Sequence, residues 1–217
     1  VSVKESVTSA LRNKNYHNLA DNPNVTVYTG IGSFVSADVV AVRTATEEIR
    51  LTSKQIIINT GAETVIPPIE GVAGNPFVYT STSIMELADL PRRLVIIGGG
   101  PAGMMCAATA AERGMRVILL EPNRLLGRKL RITGKGRCNV TNNCDIKTFM
   151  ENIPGDGRFL YSALNRLSPT QTMELFESHG LKLKTERGNR VFPVSDNAND
   201  VAGTMAHWCE RAGVRVM

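Results

Sequence analysis

Gly98, Gly100 and Gly103, followed eighteen residues later by Glu121, have the types and spacing needed to hold a diphosphate and a ribose. Gly98 permits a tight turn. Gly100 removes the Cβ that would keep a pyrophosphate off the backbone, and Gly103 lets a helix pack closely on the preceding strand. Pro101 and Ala102 open that helix, where the missing N–H of proline costs nothing. Glu121 is placed to accept hydrogen bonds from ribose hydroxyls and disfavours a 2′-phosphate, so FAD or NAD fits better than NADP. A second patch lies downstream. Gly134-Lys-Gly136 supplies backbone N–H groups for an anion-binding concavity, with Lys135 and Arg137 adding charge. Arg124, Arg128, Lys129, Arg131, Lys135 and Arg137 have no acid among them. A flexible turn, a solvated basic loop and a nucleic-acid surface are the other readings. Aromatic residues make up only 5% of the chain and none falls inside this run, so stacking on bases is unsupported. The adjacent glycine turn favours a loop that serves a cofactor's diphosphate. No Ser/His/Asp triad or metal-ligand cluster is visible, and His207 reads as a packing or surface residue. No side chain is assigned as catalytic acid or base.

These residues need a frame. Residues 94–97 form an apolar run of the kind expected for a strand buried on both faces of a parallel sheet. The helix from Pro101 to Arg113 stops at Gly114, and residues 117–121 form a second strand ending in the acid. A strand, turn, helix and strand in register make the glycine spacing far more specific than GxGxxG alone. Downstream, Ser168-Pro-Thr-Gln171 is a capping box with Pro at the first helical position, and Gly180 ends that helix. Residues 186–190 read as a hairpin turn, 199–212 as a helix stopped by Gly213, and 214–217 as the start of a strand.

Upstream, Val3, Val7, Ala10 and Leu11 show helical spacing within residues 2–20. Apolar runs at 25–28, 39–42, 49–51 and 56–58 then predict an antiparallel meander feeding a buried strand. Ser83 to Glu86 reads as a capping box opening a short helix that ends before Pro91. At 217 residues and 42% hydrophobic, the chain can bury a core. No apolar run approaches a membrane span and no signal-peptide pattern opens it, which points to a cytoplasmic protein. The net charge of +5 is uneven: residues 1–93 carry eight basic and nine acidic side chains, and 94–217 carry seventeen and eleven. The four cysteines match neither a disulfide framework nor a zinc knuckle and read as reduced thiols, Cys138 being the one placed near a ligand.

Two resemblances meet in this chain. Gln55-Ile-Ile-Ile-Asn-Thr-Gly-Ala-Glu-Thr-Val-Ile-Pro-Pro-Ile-Glu-Gly71, the segment 81–91 and the strand at 94–100 resemble the pyridine nucleotide-disulfide oxidoreductases of the dihydrolipoamide-dehydrogenase type. That resemblance implies that Thr60 and Gly61 pass close to a flavin and that 81–91 leads into an NAD domain. No GxGxxG precedes residue 55 and no Cys-x4-Cys pair exists, so disulfide reduction is not expected. From 94 to 217 the pattern changes. Gly98-Gly-Gly-Pro-Ala-Gly103, Leu125-Leu-Gly-Arg-Lys-Leu-Arg-Ile-Thr-Gly-Lys-Gly-Arg-Cys-Asn-Val-Thr-Asn142 and Glu186-Arg-Gly-Asn-Arg-Val-Phe-Pro193 resemble the aminoacetone oxidase family of FAD-binding enzymes. There the glycine turn binds FAD. The resemblance implies that Glu121 holds the adenosine ribose, while Arg128, Lys129, Gly136, Arg137, Cys138 and Asn139 line the diphosphate and flavin side.

The chain opens on Val and stops inside a predicted strand, so it is expected to be incomplete at both ends, with a seam at or near 98–103. The expected fold is α/β: a Rossmann-like FAD/NAD(P)-binding parallel sheet with an antiparallel β-meander. Residues 1–92 are read as a partial FAD-domain segment and 93–217 as the FAD-binding βαβ unit with the start of an α/β extension. The strand at 55–59 could join the sheet begun at 94–97 and bring Thr60 to the glycine turn. The expected function is that of an FAD-dependent oxidoreductase acting on a small-molecule substrate, without nucleic-acid or membrane partners. The alternatives are an NAD(H)-binding domain and a cofactor-free, inactive fragment.

Overall fold

The computed structural model describes residues 2–154 and 160–217. The chain divides into two compact units, Val1–Leu90 and Pro91–Met217. The first begins with helix α1 (Ser2–Ala20). Of its predicted apolar stripe, Ala10 and Leu11 are exposed, and the side chains of Val3 and Val7 lie outside the described residues. An antiparallel sheet follows, formed by β1 (Ile31–Phe34), β2 (Val39–Arg43) and β3 (Glu48–Thr52) in the order β1-β2-β3.

The meander is present, but its first strand is displaced from the expected position. Residues 25–28 are not a strand; β1 starts at Ile31 because pairing is fixed by the turn into β2, with Ile31 opposite Arg43 and Phe34 opposite Val40. Ser36 Oγ donates to Asp38 Oδ1 at 2.6 Å inside that turn. Gly30 is required beside it, since a Cβ there would run into the Arg43 carbonyl. The predicted strand at 55–59 is absent. Residues 55–69 have no regular structure, and Ile57 is 91% exposed. An apolar run of three residues becomes a strand only if a partner strand takes its backbone hydrogen bonds, and none does so among the described residues. The predicted capping box at Ser83 is replaced by a 3-10 turn, Ser83–Glu86, whose N-cap is Thr82 and which has no side-chain cap. Ser83 Oγ instead accepts from the Thr80 N–H at 2.8 Å.

The second unit contains a parallel sheet of β4 (Arg93–Ile97), β5 (Arg116–Leu120) and β9 (Arg215–Val216), in the order β4-β5-β9. Helix α2 (Pro101–Glu112) connects β4 to β5, which run in register from Arg93 opposite Arg116 to Ile97 opposite Leu120. After β5 come a 3-10 stretch at Leu130–Gly136, β6 (Thr141–Asn142), α3 (Ile146–Glu151) and α4 (Tyr161–Arg166). Next are α5 (Pro169–Ser178), the hairpin β7 (Leu183–Glu186) and β8 (Arg190–Pro193), and α6 (Ala198–Arg211). β6, β8 and β7 form a small antiparallel sheet in that order. The capping box on α5 is formed in both directions: Gln171 N–H donates to Ser168 Oγ, and Ser168 N–H to Gln171 Oε1.

The core lies between α2, α6 and β5. α6 buries Ala198, Val201, Ala202, Met205, Trp208 and Cys209 at helical spacing, and α2 buries Met104, Ala107, Ala108 and Ala110. Alanines on α2 let the helices approach, and two hydrogen bonds join them: Trp208 Nε1 donates to Glu112 Oε1 at 2.6 Å, and Cys209 Sγ to the Met104 carbonyl at 3.3 Å. β4 departs from expectation. It is an edge strand whose Val95 and Ile97 are 54% and 52% exposed, so it is buried on one face rather than both. An edge strand and a strand buried on both faces can share the same apolar spelling, and what covers the second face decides between them.

Candidate functional site

The glycine turn sits between the end of β4 and the start of α2, and each glycine in it answers to a different neighbour. Gly98 adopts φ +108°, which its lack of a Cβ allows, and its N–H donates to the Leu120 carbonyl at 2.8 Å. A Cβ on Gly103 would overlap the Gly98 carbonyl oxygen, so this glycine is required by the close approach of helix to turn. A Cβ on Gly99 would collide with Leu126 and Glu121. Gly100 is different. Its φ of −73° suits any residue, and a Cβ there would meet nothing within 4 Å. The protein's own packing gives no reason for glycine at this position; it leaves open space at the N-terminus of α2. There Pro101, Ala102 and Gly103 form the first turn, in which N–H groups lack intrahelical acceptors and the helix dipole is positive.

Glu121 lies at the same turn. Its Oε2 accepts from the Gly99 N–H at 2.7 Å and its Oε1 from the Asn123 N–H at 3.0 Å, with the Asn123 amide also donating. The backbone and side-chain hydrogen bonds from Asn123, and then that from Gly99, hold the carboxyl below the usual carboxylate range. Gly99 and Asn123 are the residues the sequence reading overlooked. Asn two residues after Glu121 was a visible signal, since such a side chain and its own N–H can both reach back to the acid.

The basic segment runs under the turn. Gly127, at φ +70°, packs against Met104 and Ala202, and its N–H donates to the Gly99 carbonyl at 2.8 Å. Arg131 is tied inward, through Nε to the Leu126 carbonyl at 2.9 Å and through Nη1 to Asn199 Oδ1 at 2.8 Å. Arg128 and Lys129 are exposed, and Arg128 Nη1 donates to Asn123 Oδ1 at 3.2 Å. The second anion loop is present as a break in the 3-10 stretch, with positive φ at Gly134, Lys135, Gly136 and Cys138.

Three of the expected ligand groups in that loop are used internally. Arg137 Nε donates to Asp196 Oδ1 at 2.9 Å, and its Nη2 pairs with both Glu186 and Asp196. Cys138 is 1% exposed and belongs to the core, and burial raises its pKa. Asn139, with its amide oriented to donate, reaches the Thr141 and Val191 carbonyls at 2.9 and 3.1 Å. Gly136 remains open, with no atom within 4 Å of where its Cβ would stand. Thr60 and Gly61 lie in the irregular stretch of the first unit, with Gly61 at φ +78°. Among the described residues no group of His, Cys, Asp and Glu could hold a metal ion, and no helix is long and apolar enough to cross a membrane.

Two protein families match this chain. The HI0933-like protein Rossmann domain matches residues 92–217, and the pyridine nucleotide-disulphide oxidoreductase family matches residues 2–136. The chain belongs to both families. The matches overlap over 92–136, the stretch that holds β4, the glycine turn, α2 and β5, where the sequence changes its resemblance. The probable pyridine nucleotide-disulfide oxidoreductase RclA of Escherichia coli is 42% identical over 118 residues, 54% of this chain and 27% of that protein. The ribosomal RNA dihydrouridine synthase of Escherichia coli is 32% identical over 121 residues, 55% of this chain and 29% of that one. A dihydrolipoyl dehydrogenase of Acholeplasma laidlawii is 35% identical over 124 residues, covering 56% and 35%. The solved structure of the HOCl-induced flavoprotein disulfide reductase RclA from Escherichia coli matches all of this chain and 34% of its own, with a TM-score of 0.59 and 26% identity. The chain thus spans about a third or less of the length of these relatives.

Proposed function

We propose that this chain is part of an FAD-dependent oxidoreductase that acts on a small-molecule substrate. Gly100 carries the reading: the chain leaves glycine where its own packing asks for none, at the N-terminus of α2, and the space this opens suits a diphosphate. Gly98, Pro101, Ala102 and Gly103 would present the helix terminus to the phosphates, and Glu121 would accept from the adenosine ribose in place of Asn123 or Gly99. Arg128, Lys129 and Gly136 would face the diphosphate side. The bound flavin would supply hydride acceptance; the residues of this chain bind and orient it. The flavoprotein named among the solved relatives supports FAD over NAD.

The test is a flavin titration. The protein purified with FAD should be yellow, with absorbance near ~450 nm from the cofactor. Gly100→Val should keep the fold and lose the colour, because its side chain would occupy the ligand's place. Retention of FAD by that variant, or tighter binding of NADH than FAD by the unaltered chain, would overturn the reading. The likeness to ribosomal RNA dihydrouridine synthase favours a second reading, in which the substrate is an RNA base and the exposed Arg124, Arg128, Lys129 and Lys135 meet its phosphates. Salt-dependent retention of a ribosomal RNA fragment would favour it over a small molecule.

A further inference from the structure

We infer that Arg137 is a positioning residue: it clamps the loop at 133–139 to the β7–β8 hairpin and sets the conformation in which that loop meets the cofactor, without touching the diphosphate itself. The inference rests on the FAD reading above for its functional half only. Arg137 Nε and Nη2 are both taken by carboxylates, and its guanidinium carbon stands 4.2 Å from the centre of the Phe192 ring on β8. Lys184 on β7 completes the group, with Nζ 2.6 Å from Asp196 Oδ2 and 3.4 Å from Glu186 Oε1. Two cations thus face two carboxylates, so the positive charge that the sequence counts at 137 is neutralised within the protein.

The loop has reason to need such a clamp. Lys135 and Cys138 are not glycine and yet sit at φ +58° each, Lys135 being flanked by Gly134 at +56° and Gly136 at +84°. Non-glycine residues remain in this region only where their surroundings over-determine the backbone. Arg137 lies between the two strained residues, and its partners come from the far side of the fold, 49 and 59 residues along the chain. Cys138 N–H to the Thr133 carbonyl at 3.1 Å and the Asn139 amide on Val191 hold the loop's other end. If the ionic group is broken, the loop should loosen whichever member is removed.

The experiment compares R137M, the pair E186Q/D196N and the triple variant by FAD titration and by hydrogen exchange at 133–139, with Trp208 emission reporting that each is folded. For a clamp, R137M and E186Q/D196N each weaken FAD binding by about tenfold, the triple variant is no worse than either, and R137K recovers part of the loss. All three should also exchange faster at 133–139. If E186Q/D196N binds FAD as tightly as the unaltered protein while R137M does not, Arg137 is a direct ligand and the inference is wrong. It is equally wrong if exchange at 133–139 is unchanged in both variants. Should the unaltered protein take up no FAD, the proposed function fails instead, and the exchange comparison still decides whether Arg137 clamps the loop.

Discussion

In the second unit Met104, Leu119, Val191 and Val201 are buried to 1% exposure or less, whereas in the first Ile57, Val65 and Phe77 are 91%, 85% and 85% exposed. Among the described residues of the first unit only Ala41 and Val42 are buried. Apolar side chains are plentiful in both units, so composition does not separate them; layering does. In the second unit α2 packs on β5 and α6 packs on α2, which lets helix-period and strand-period residues meet in one core. In the first, three strands of four or five residues make a single sheet, and the long apolar stretch after them has no regular structure. Such a sheet has little to bury against. Cooperative stability should therefore reside in the second unit, and Trp208, the only tryptophan, reads that unit alone.

The sharpest test pairs one core residue from the second unit with one apolar residue from the first. Leu119→Ala removes a fully buried side chain on the central strand and should cost about 2–5 kcal/mol, read as a lower urea midpoint in Trp208 emission. Ile57→Ala should leave that midpoint within about 0.5 kcal/mol. A second pair uses glycine. Gly103→Ala drives a methyl group into the Gly98 carbonyl and should cost about 1–3 kcal/mol. Gly61→Ala meets nothing within 4 Å, and although its φ of +78° is strained for alanine, the Trp208 transition should not move. A shift from Gly61→Ala comparable to that from Gly103→Ala would break the contrast between the units.

The same contrast explains what could be read from the sequence. β4, the glycine turn, α2 and β5 were legible because strand, turn and helix signals agree residue by residue, as they do again at Ser168 to Gln171 and across the 186–190 hairpin. The runs at 25–28 and 55–59 carried only one signal, short apolar content, and pairing and cover decided against both. In the site, Gly98, Gly100, Gly103 and Glu121 were legible as spacing. The commitment of Arg137 to Glu186 and Asp196 was not, because basic residues read locally give no view of carboxylates brought in by a distant hairpin. The burial of Cys138 was not legible either: its backbone takes a positive φ and its side chain joins the core.

A smaller effect is expected at helix starts. Ser168→Ala removes an N-cap whose hydroxyl accepts from the Gln171 N–H at 3.1 Å, and should lower stability by about 1 kcal/mol in the Trp208 transition. Ser83→Ala, spelled as the same motif but capping no helix, should leave it unchanged.

The smallest effect concerns acid, and it sharpens the contrast from the electrostatic side. Glu121, Asp145, Glu186 and Asp196, all in the second unit, have carboxyls held below their ordinary range by hydrogen bonds and cationic neighbours. The unfolded chain binds protons to these groups more readily than the folded one. Their contribution is therefore complete above the unfolded values near about pH 4 and is lost as pH falls through the lower folded values. Lys184 and Arg137 are shifted up, so their share is lost only at strongly alkaline pH. The Trp208 urea midpoint should thus be flat near neutrality and fall on acidification below about pH 4. Asp145 isolates one carboxylate: it caps α3 by accepting from the Thr148 N–H at 2.9 Å, and asparagine can accept the same bond. Asp145→Asn should leave the midpoint at pH 7 in place while making its fall in acid shallower. An unchanged acid limb would remove Asp145 from the set and leave the slope to Glu121, Glu186 and Asp196, the three carboxylates that hold the glycine turn and the loop at 133–139.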